Sequence, residues 1–320
     1  MGAHAVCRAL CRSGQAEVVN MRIVISGATG SIGSMLMARL APSHEVVGLG
    51  RNQKKIEEMA QRFSMKTCDL ESGKFEQLMA DADVFIHCAA FAAPKGKASQ
   101  FQKNVDVVNA MIPVLDKHDV FTVFVSSASV FDAMPRDSVM TSPTIKPKAR
   151  YSKSKFEAEE AVMRSSYSNW TGLRPRAVIG EGDNTVLPRL AGLIRRNKVI
   201  IPGKGDALLD YTCMENFLDC VEAALRAGPQ RMFLNVSNGD PKTFKQLITT
   251  YGKHIHNISA TRHVPLLPLR LLASVMPTDR INHYSLDQVS KPMVLDISET
   301  QRLLGWEPKQ SLEQCLEGLS

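Results

Sequence analysis

The chain has 320 residues, 44% hydrophobic and 22% charged, with a net charge of +7 and a mean hydropathy of −0.11. This composition excludes a disordered or membrane-embedded polypeptide and leaves enough chain for one large or two modest domains. The positive surplus favours anionic ligands, but lysines and arginines are spread without interleaved aromatics, so nucleic acid is not expected as a partner.

Residues 1–20 contain Arg8 and Arg12 but no continuous apolar run, so no signal peptide is read there, and a disordered tail before Met21 is expected. The seven cysteines (Cys7, Cys11, Cys68, Cys88, Cys213, Cys220 and Cys315) are odd in number and lack ligand spacing. They indicate a reduced, cytoplasmic compartment. The histidines show no metal-ligand spacing either, so no metal is expected.

From Met21 onward, apolar runs at 22–26, 45–49, 83–88 and 121–126 predict buried parallel strands. Between and after them, helices are predicted at 31–41, 52–63, about 100–117 and 152–166. The alternation predicts an α/β fold, a doubly wound parallel sheet of Rossmann type with helices on both faces. Residues 21–175 are assigned to a dinucleotide-binding core. Residues 176–320, where "WTGLRP" gives way to "RMFLNVS" and scattered Pro and Gly, are assigned to a smaller substrate-binding lobe partly interleaved with it. The apolar run at 264–277 is broken by prolines and Arg270 and is too short to span a bilayer. It is expected to cap a hydrophobic substrate, touch a membrane surface or form a buried core helix.

"VISGATGSIG" places Gly27, Gly30 and Gly33 between a strand and a helix. Glycines permit a tight turn and close backbone approach, and the helix N-terminus attracts a pyrophosphate. Gly27, Thr29, Gly30, Ser31, Ile32 and Gly33 are therefore expected to hold a dinucleotide, although the spacing G-x-x-G-x-x-G departs from G-x-G-x-x-G. After the second strand, Gly50 and Arg51 stand where a carboxylate would bind ribose hydroxyls. An arginine there suits a 2′-phosphate, so NADP(H) is favoured and NAD(H) is the alternative. Asp69 and Leu70, after a third strand, are placed near the adenine; Ala89 and Ala90 of "HCAA" are placed under the ribose.

Tyr151 and Lys155 in "YSKSK" are one helical turn apart, and Ser127 ends a predicted strand. A phenol with a reference pKa of about 10 needs a nearby cation to work at neutral pH. Lys155 and the cationic nicotinamide are expected to supply it, while Ser127 holds the substrate oxygen.

These stretches, with "NVDVV", "SSASV", "LRPRAVIGEGD" and "DISETQRLLGWEPKQSLEQCLEG", resemble the extended short-chain dehydrogenase/reductase family over about residues 21–315. That family includes nucleotide-sugar epimerases, dehydratases and 3β-hydroxysteroid dehydrogenase-like enzymes. The resemblance implies Ser127, Tyr151 and Lys155 as a catalytic triad, Asn104 as support for the lysine's proton relay, and Arg174 with Pro175 beside the nicotinamide. It also implies a homodimer through the tyrosine-bearing helix and its neighbour. Three departures stand out: Ala128 and Ser129 replace the Asp-Glu of 4,6-dehydratases, Leu209 replaces a diphosphate-holding arginine, and no acid stands at Gly50. They point to net oxidation or reduction of a hydrophobic secondary alcohol or ketone. The alternatives are a nucleotide-sugar epimerase and, behind it, a non-enzymatic NADP sensor.

Overall fold

The computed structural model describes residues 20–92, 96–132, 134, 140–276 and 282–319. The expected tail, Asn20 excepted, and with it Cys7 and Cys11, lies outside the described residues. In chain order, β1 (Arg22–Ser26), α1 (Ser31–Leu40), β2 (Glu45–Gly50), α2 (Gln53–Ala60), β3 (Ser64–Thr67), α3 (Gly73–Met79), β4 (Val84–His87), α4 (Ala98–Lys117) and β5 (Phe121–Val125) alternate strictly. After α5 (Arg150–Arg164) and β6 (Trp170–Pro175) come β7 (Val178–Ile179), α6 (Leu187–Ala191), β8 (Ile194–Arg195), β9 (Lys198–Pro202), β10 (Leu208–Leu209), β11 (Thr212–Cys213), α7 (Met214–Ala227) and β12 (Phe233–Val236). The chain then forms β13 (Lys242–Thr243), α8 (Phe244–His256), β14 (Thr261–Val264), α9 (Leu266–Val275), α10 (His283–Ser290), α11 (Ser298–Leu304) and α12 (Leu312–Glu317).

The central sheet has seven parallel strands in the order β12-β6-β5-β4-β1-β2-β3. Its strands are apolar because both faces are covered: Ile23 and Ile25 pack into one layer, while Val24 packs into the other beside Phe85 and Phe124. The order in which strands are added switches from one side of β1 to the other at β4, and such a switch point opens the crevice where ligands bind in these sheets. β3 reads Ser-Met-Lys-Thr, and its edge position explains why its pattern is faint. β12 inserts a segment from the second half of the chain next to β6, so that half both completes the sheet and builds a wall over its carboxyl edge.

That wall centres on a second sheet, β14-β9-β8. β8 and β9 form a hairpin, with Arg195 opposite Lys198. Its two turn residues, Arg196 and Asn197, adopt φ of 49° and 55°, as a tight hairpin turn requires. β14 adds in parallel to β9 and leads directly into α9. The core-helix expectation for 264–277 fails: Ala273 alone is buried in α9. Among the described residues, no helix is long and apolar enough to cross a membrane, and no acidic, His or Cys cluster could hold a metal.

Candidate active site

A cavity of about 1170 Å³ lies between the carboxyl edge of the central sheet and the wall above it. One end is the glycine turn. Gly27 has φ +69°, and a Cβ there would lie 2.7 Å from Ala89 N. A Cβ on Gly33 would lie 2.3 Å from Gly27 O, so the first turn of α1 can approach β1 only as glycine. Gly30 caps α1 without a side-chain hydrogen bond, and no acid occupies the first turn. The helix N-terminus therefore presents unsatisfied N–H groups and a partial positive charge to the cavity. Gly27, Gly30, Ser31, Ile32, Gly33 and Ala90 all line it. This cradle fits the pyrophosphate of a dinucleotide, whose backbone contact tolerates no Cβ at the turn.

Arg51 stands exposed just beyond β2, with no ion-pair partner among the described residues. A Cβ on Gly50 would lie 3.0 Å from Thr29 Cγ2, so the turn leaves little room for a longer side chain there. Thr29 and Ala89 belong to the turn's second layer rather than the cavity wall. Asp69 is exposed and its carboxylate accepts from Glu71 N–H at 3.2 Å; Leu70 packs against the layer containing Phe75. Neither reaches the cavity wall.

Ser127, Tyr151 and Lys155 do meet on that wall. Ser127 follows β5, and its hydroxyl accepts from Ser129 N–H at 3.2 Å, which turns the chain away from the sheet. Tyr151 lies in the first turn of α5. Burial raises its phenol above the usual value; Ser127 and the Arg189 cation pull the other way. Lys155 is not among the groups that move it, contrary to the expectation from spacing. The reason is geometric: Lys155 Nζ donates to Val125 O at 2.8 Å, towards the end of β5. Burial pushes the lysine down to about 8. Beside it, His87 is pushed to about 3 by burial, so its ring is neutral and shares a 2.8 Å hydrogen bond with Ser26.

Two residues assigned by resemblance stand elsewhere. Arg174 lies on the face of β6 turned towards α5, not on the cavity wall. Its guanidinium donates to both oxygens of Glu159, at 3.0 and 2.7 Å, and sits over the rings of Phe131 and Phe233. Glu159 also accepts from Ser126, so the pair locks α5 to β5 and β6. Its neighbour Pro175 does line the cavity, since successive strand residues point to opposite faces. Asn104 accepts from Phe91 N–H at 2.7 Å and donates to Ser154 Oγ at 3.0 Å. It thus ties α4 and the loop after β4 to the turn of α5 between Tyr151 and Lys155.

The opposite end of the cavity is largely apolar, with Leu190, Leu193, Ile200, Leu247, Val264 and Leu269 on it. Leu209 faces it as well. Sequence patterns missed several polar groups there. Tyr284, on α10, lines the cavity too; burial raises its phenol, and the nearby Asp132 and Tyr151 add to the rise. Gln288 accepts from Arg176 at 2.6 Å and donates to Asp132 at 2.8 Å, and Asp132 accepts from Ser152. That chain of bonds fastens α10 over the tyrosine-bearing helix across a long sequence separation, which no local spacing reveals. Arg189, on α6, was missed as well; the local signal there is Asp183, which marks the start of α6 by accepting from Thr185, Val186 and Leu187 N–H.

A dinucleotide cradle and a Ser-Tyr-Lys constellation on one parallel α/β sheet define a class, and the comparisons agree with it. Residues 23–237 match the NAD dependent epimerase/dehydratase family, and the chain belongs to that family. It is 25% identical to the Escherichia coli (strain K12) protein YbjS over 93% of this chain and 96% of YbjS. It is 24% identical to the 2-alkyl-3-oxoalkanoate reductase of Stenotrophomonas maltophilia over 93% of this chain and 98% of that enzyme. Among solved structures, the UDP-glucuronic acid 4-epimerase of Bacillus cereus in complex with NAD superposes with a TM-score of 0.74 at 20% identity, covering 93% and 97% of the two chains.

Proposed function

We propose that the protein is an NAD(P)-dependent oxidoreductase, favouring NADP(H), that interconverts a secondary alcohol and a ketone on a largely apolar substrate. The observation that carries this reading is the convergence of Ser127, Tyr151 and Lys155 on a cavity whose far end is apolar. The α1 N-terminus and the glycine turn would hold the dinucleotide pyrophosphate, and Arg51 a 2′-phosphate. When bound, the nicotinamide supplies or accepts the hydride. Ser127 orients the substrate oxygen, and Tyr151 gives that oxygen a proton or takes one from it. Lys155, anchored on Val125 O, holds a positive charge at the base of the site, and Asn104 keeps its helical turn in register. The similarity to a reductase of 2-alkyl-3-oxoalkanoates supports the apolar substrate class.

A nucleotide-sugar epimerase is the second reading. Arg189 and Arg195 favour it: both stand on the cavity wall with no carboxylate partner among the described residues. Leu209 counts against it, because a leucine cannot hold a diphosphate. Pairing of two copies through α4 and α5 belongs to the first reading, and light scattering on the purified protein checks it.

The test is turnover of NADPH with a panel of long-chain 3-oxo compounds, beside NAD⁺ with UDP-sugars. Wild type is expected to oxidise NADPH with the former, and Tyr151→Phe to lose about 10²–10⁴-fold in rate. An unchanged rate in Tyr151→Phe would overturn the mechanism, and UDP-sugar interconversion without net cofactor change would select the epimerase.

A further inference from the structure

α9 is built inside out. Its only charged residue, Arg270, is turned inward and donates to Asp287 of α10 at 2.7 Å. Its outward side carries Leu267, Leu271, Val275 and Met276, which are 70, 61, 79 and 66% exposed, with Leu272 half-exposed between them. At helical spacing these residues cover about half the circumference of the helix. Solvated surface helices show the opposite arrangement, with charge outward and leucine inward.

Apart from Asp287, which holds Arg270, the two segments that meet beside α9 carry charge of one sign. Residues 184–205 and 241–278 contain no aspartate or glutamate. The first segment carries Arg189, Arg195, Arg196, Lys198 and Lys204; the second carries Lys242, Lys245, Lys253, Arg262 and Arg270. Without those ten, the chain's 39 lysines and arginines no longer outnumber its 32 carboxylates. The two segments are joined by the pairing of β14 with β9, so charges that look scattered in sequence collect in one lobe. The β8–β9 hairpin holds Arg195, Arg196 and Lys198 together, and Arg262 stands beside it on the edge strand leading into α9. Arg195, Arg196, Lys198, Lys204 and Arg262 have no carboxylate partner among the described residues.

We infer that α9 and the basic β8–β9–β14 edge form a docking surface for an anionic phospholipid bilayer, with the leucine face of α9 seated among the acyl chains. An apolar helix face flanked by unpaired cations is the combination that binds such an interface. The geometry also connects the surface to the cavity, because Leu269 of α9 and Val264 just before it line the cavity while Leu267 and Leu271 face outward. An apolar compound dissolved in the bilayer would have one helix to pass. The docking itself does not depend on the reaction assigned to the site, and its test needs no turnover.

Flotation of the full chain with vesicles tests the surface. Wild type is expected to float with phosphatidylcholine vesicles containing phosphatidylserine and to stay behind with phosphatidylcholine alone. Leu271→Glu/Val275→Glu should lower that partition at least tenfold. Should that variant not fold, Arg196→Glu/Arg262→Glu carries the test; each lysine or arginine at such a surface strengthens partition about fivefold. No flotation of wild type, equal flotation with neutral vesicles, or unchanged flotation of a folded variant would overturn the proposal. So would a wild-type dimer that Leu271→Glu/Val275→Glu splits without any vesicle binding, which would assign the face to a second copy of the chain.

Discussion

Lys155 is 6% exposed and burial lowers it to about 8, so its ammonium costs the native state about 3 kcal/mol at neutral pH. Between about pH 8 and 10.5 the unfolded chain binds more protons than the native one. The cost is therefore full below pH 8 and is relieved as pH rises through that window. Lys155→Met should raise unfolding free energy at pH 7 by about 2 kcal/mol, once the lost bond to Val125 O is counted. The gain should shrink towards pH 10 in urea titrations, while turnover is lost. Asp210 has the opposite sign. It is buried on the cavity wall, where Oδ2 accepts from Leu295 N–H at 2.7 Å, and burial raises its carboxyl to about 6 against the pull of Leu295 and Ser237. Its protonated form stabilises the fold fully below about pH 4, and that contribution is lost as pH rises through 6. Asp210→Asn should therefore raise Tm at pH 7.5 and leave it nearly unchanged at pH 4.

At the scale of elements, the site depends on two close contacts. The first is α1 against β1. Gly33→Ala would drive a Cβ to 2.3 Å from Gly27 O, and overpacking of this kind costs about 1–3 kcal/mol. Because the strain falls on the phosphate turn, the variant should also lose the Tm rise given by a dinucleotide. The second contact is α5 against β5 and β6 through Ser126, Glu159 and Arg174. Arg174→Ala leaves a carboxylate buried at 2% exposure without its cation, which should cost about 3–5 kcal/mol in chemical denaturation. Glu159→Met/Arg174→Met should lose far less, since it removes both charges. Arg174 and Pro175 are both assigned to the nicotinamide side because together they match the family's segment there. The pleat sends the two to opposite faces, and a motif match carries no information about which face is which.

At the scale of the molecule, cofactor preference is the property most open to a direct reading. A ligand at a hundredfold excess over Kd adds about 2.7 kcal/mol, or about 4 °C in Tm for a chain of this size. NADPH should produce that rise at lower concentration than NADH, and Arg51→Ala should narrow the difference. Equal shifts from both nucleotides, unaffected by Arg51→Ala, would move the preference away from NADP(H). Strands β1, β2, β4 and β5 of the central sheet were legible because buried parallel strands are short and continuously apolar, whereas edge strand β3, largely exposed, carries no such run. The upper wall was not legible: β7, β10, β11 and β13 have two residues each, too few for any period to register.

The sequence by itself determined the parallel α/β sheet, the glycine turn and the Ser127–Tyr151–Lys155 set, because each is written in local spacing that a strand or one helical turn enforces. Tertiary structure alone decided the partners. It turned Lys155 towards Val125 O, paired Arg174 with Glu159, set Arg189 and Tyr284 near Tyr151, and gathered the basic segments beside the leucines of α9. Those outcomes depend on which distant strands pair and which face of an element is covered, and burial and charge act through neighbours in space rather than neighbours in the chain.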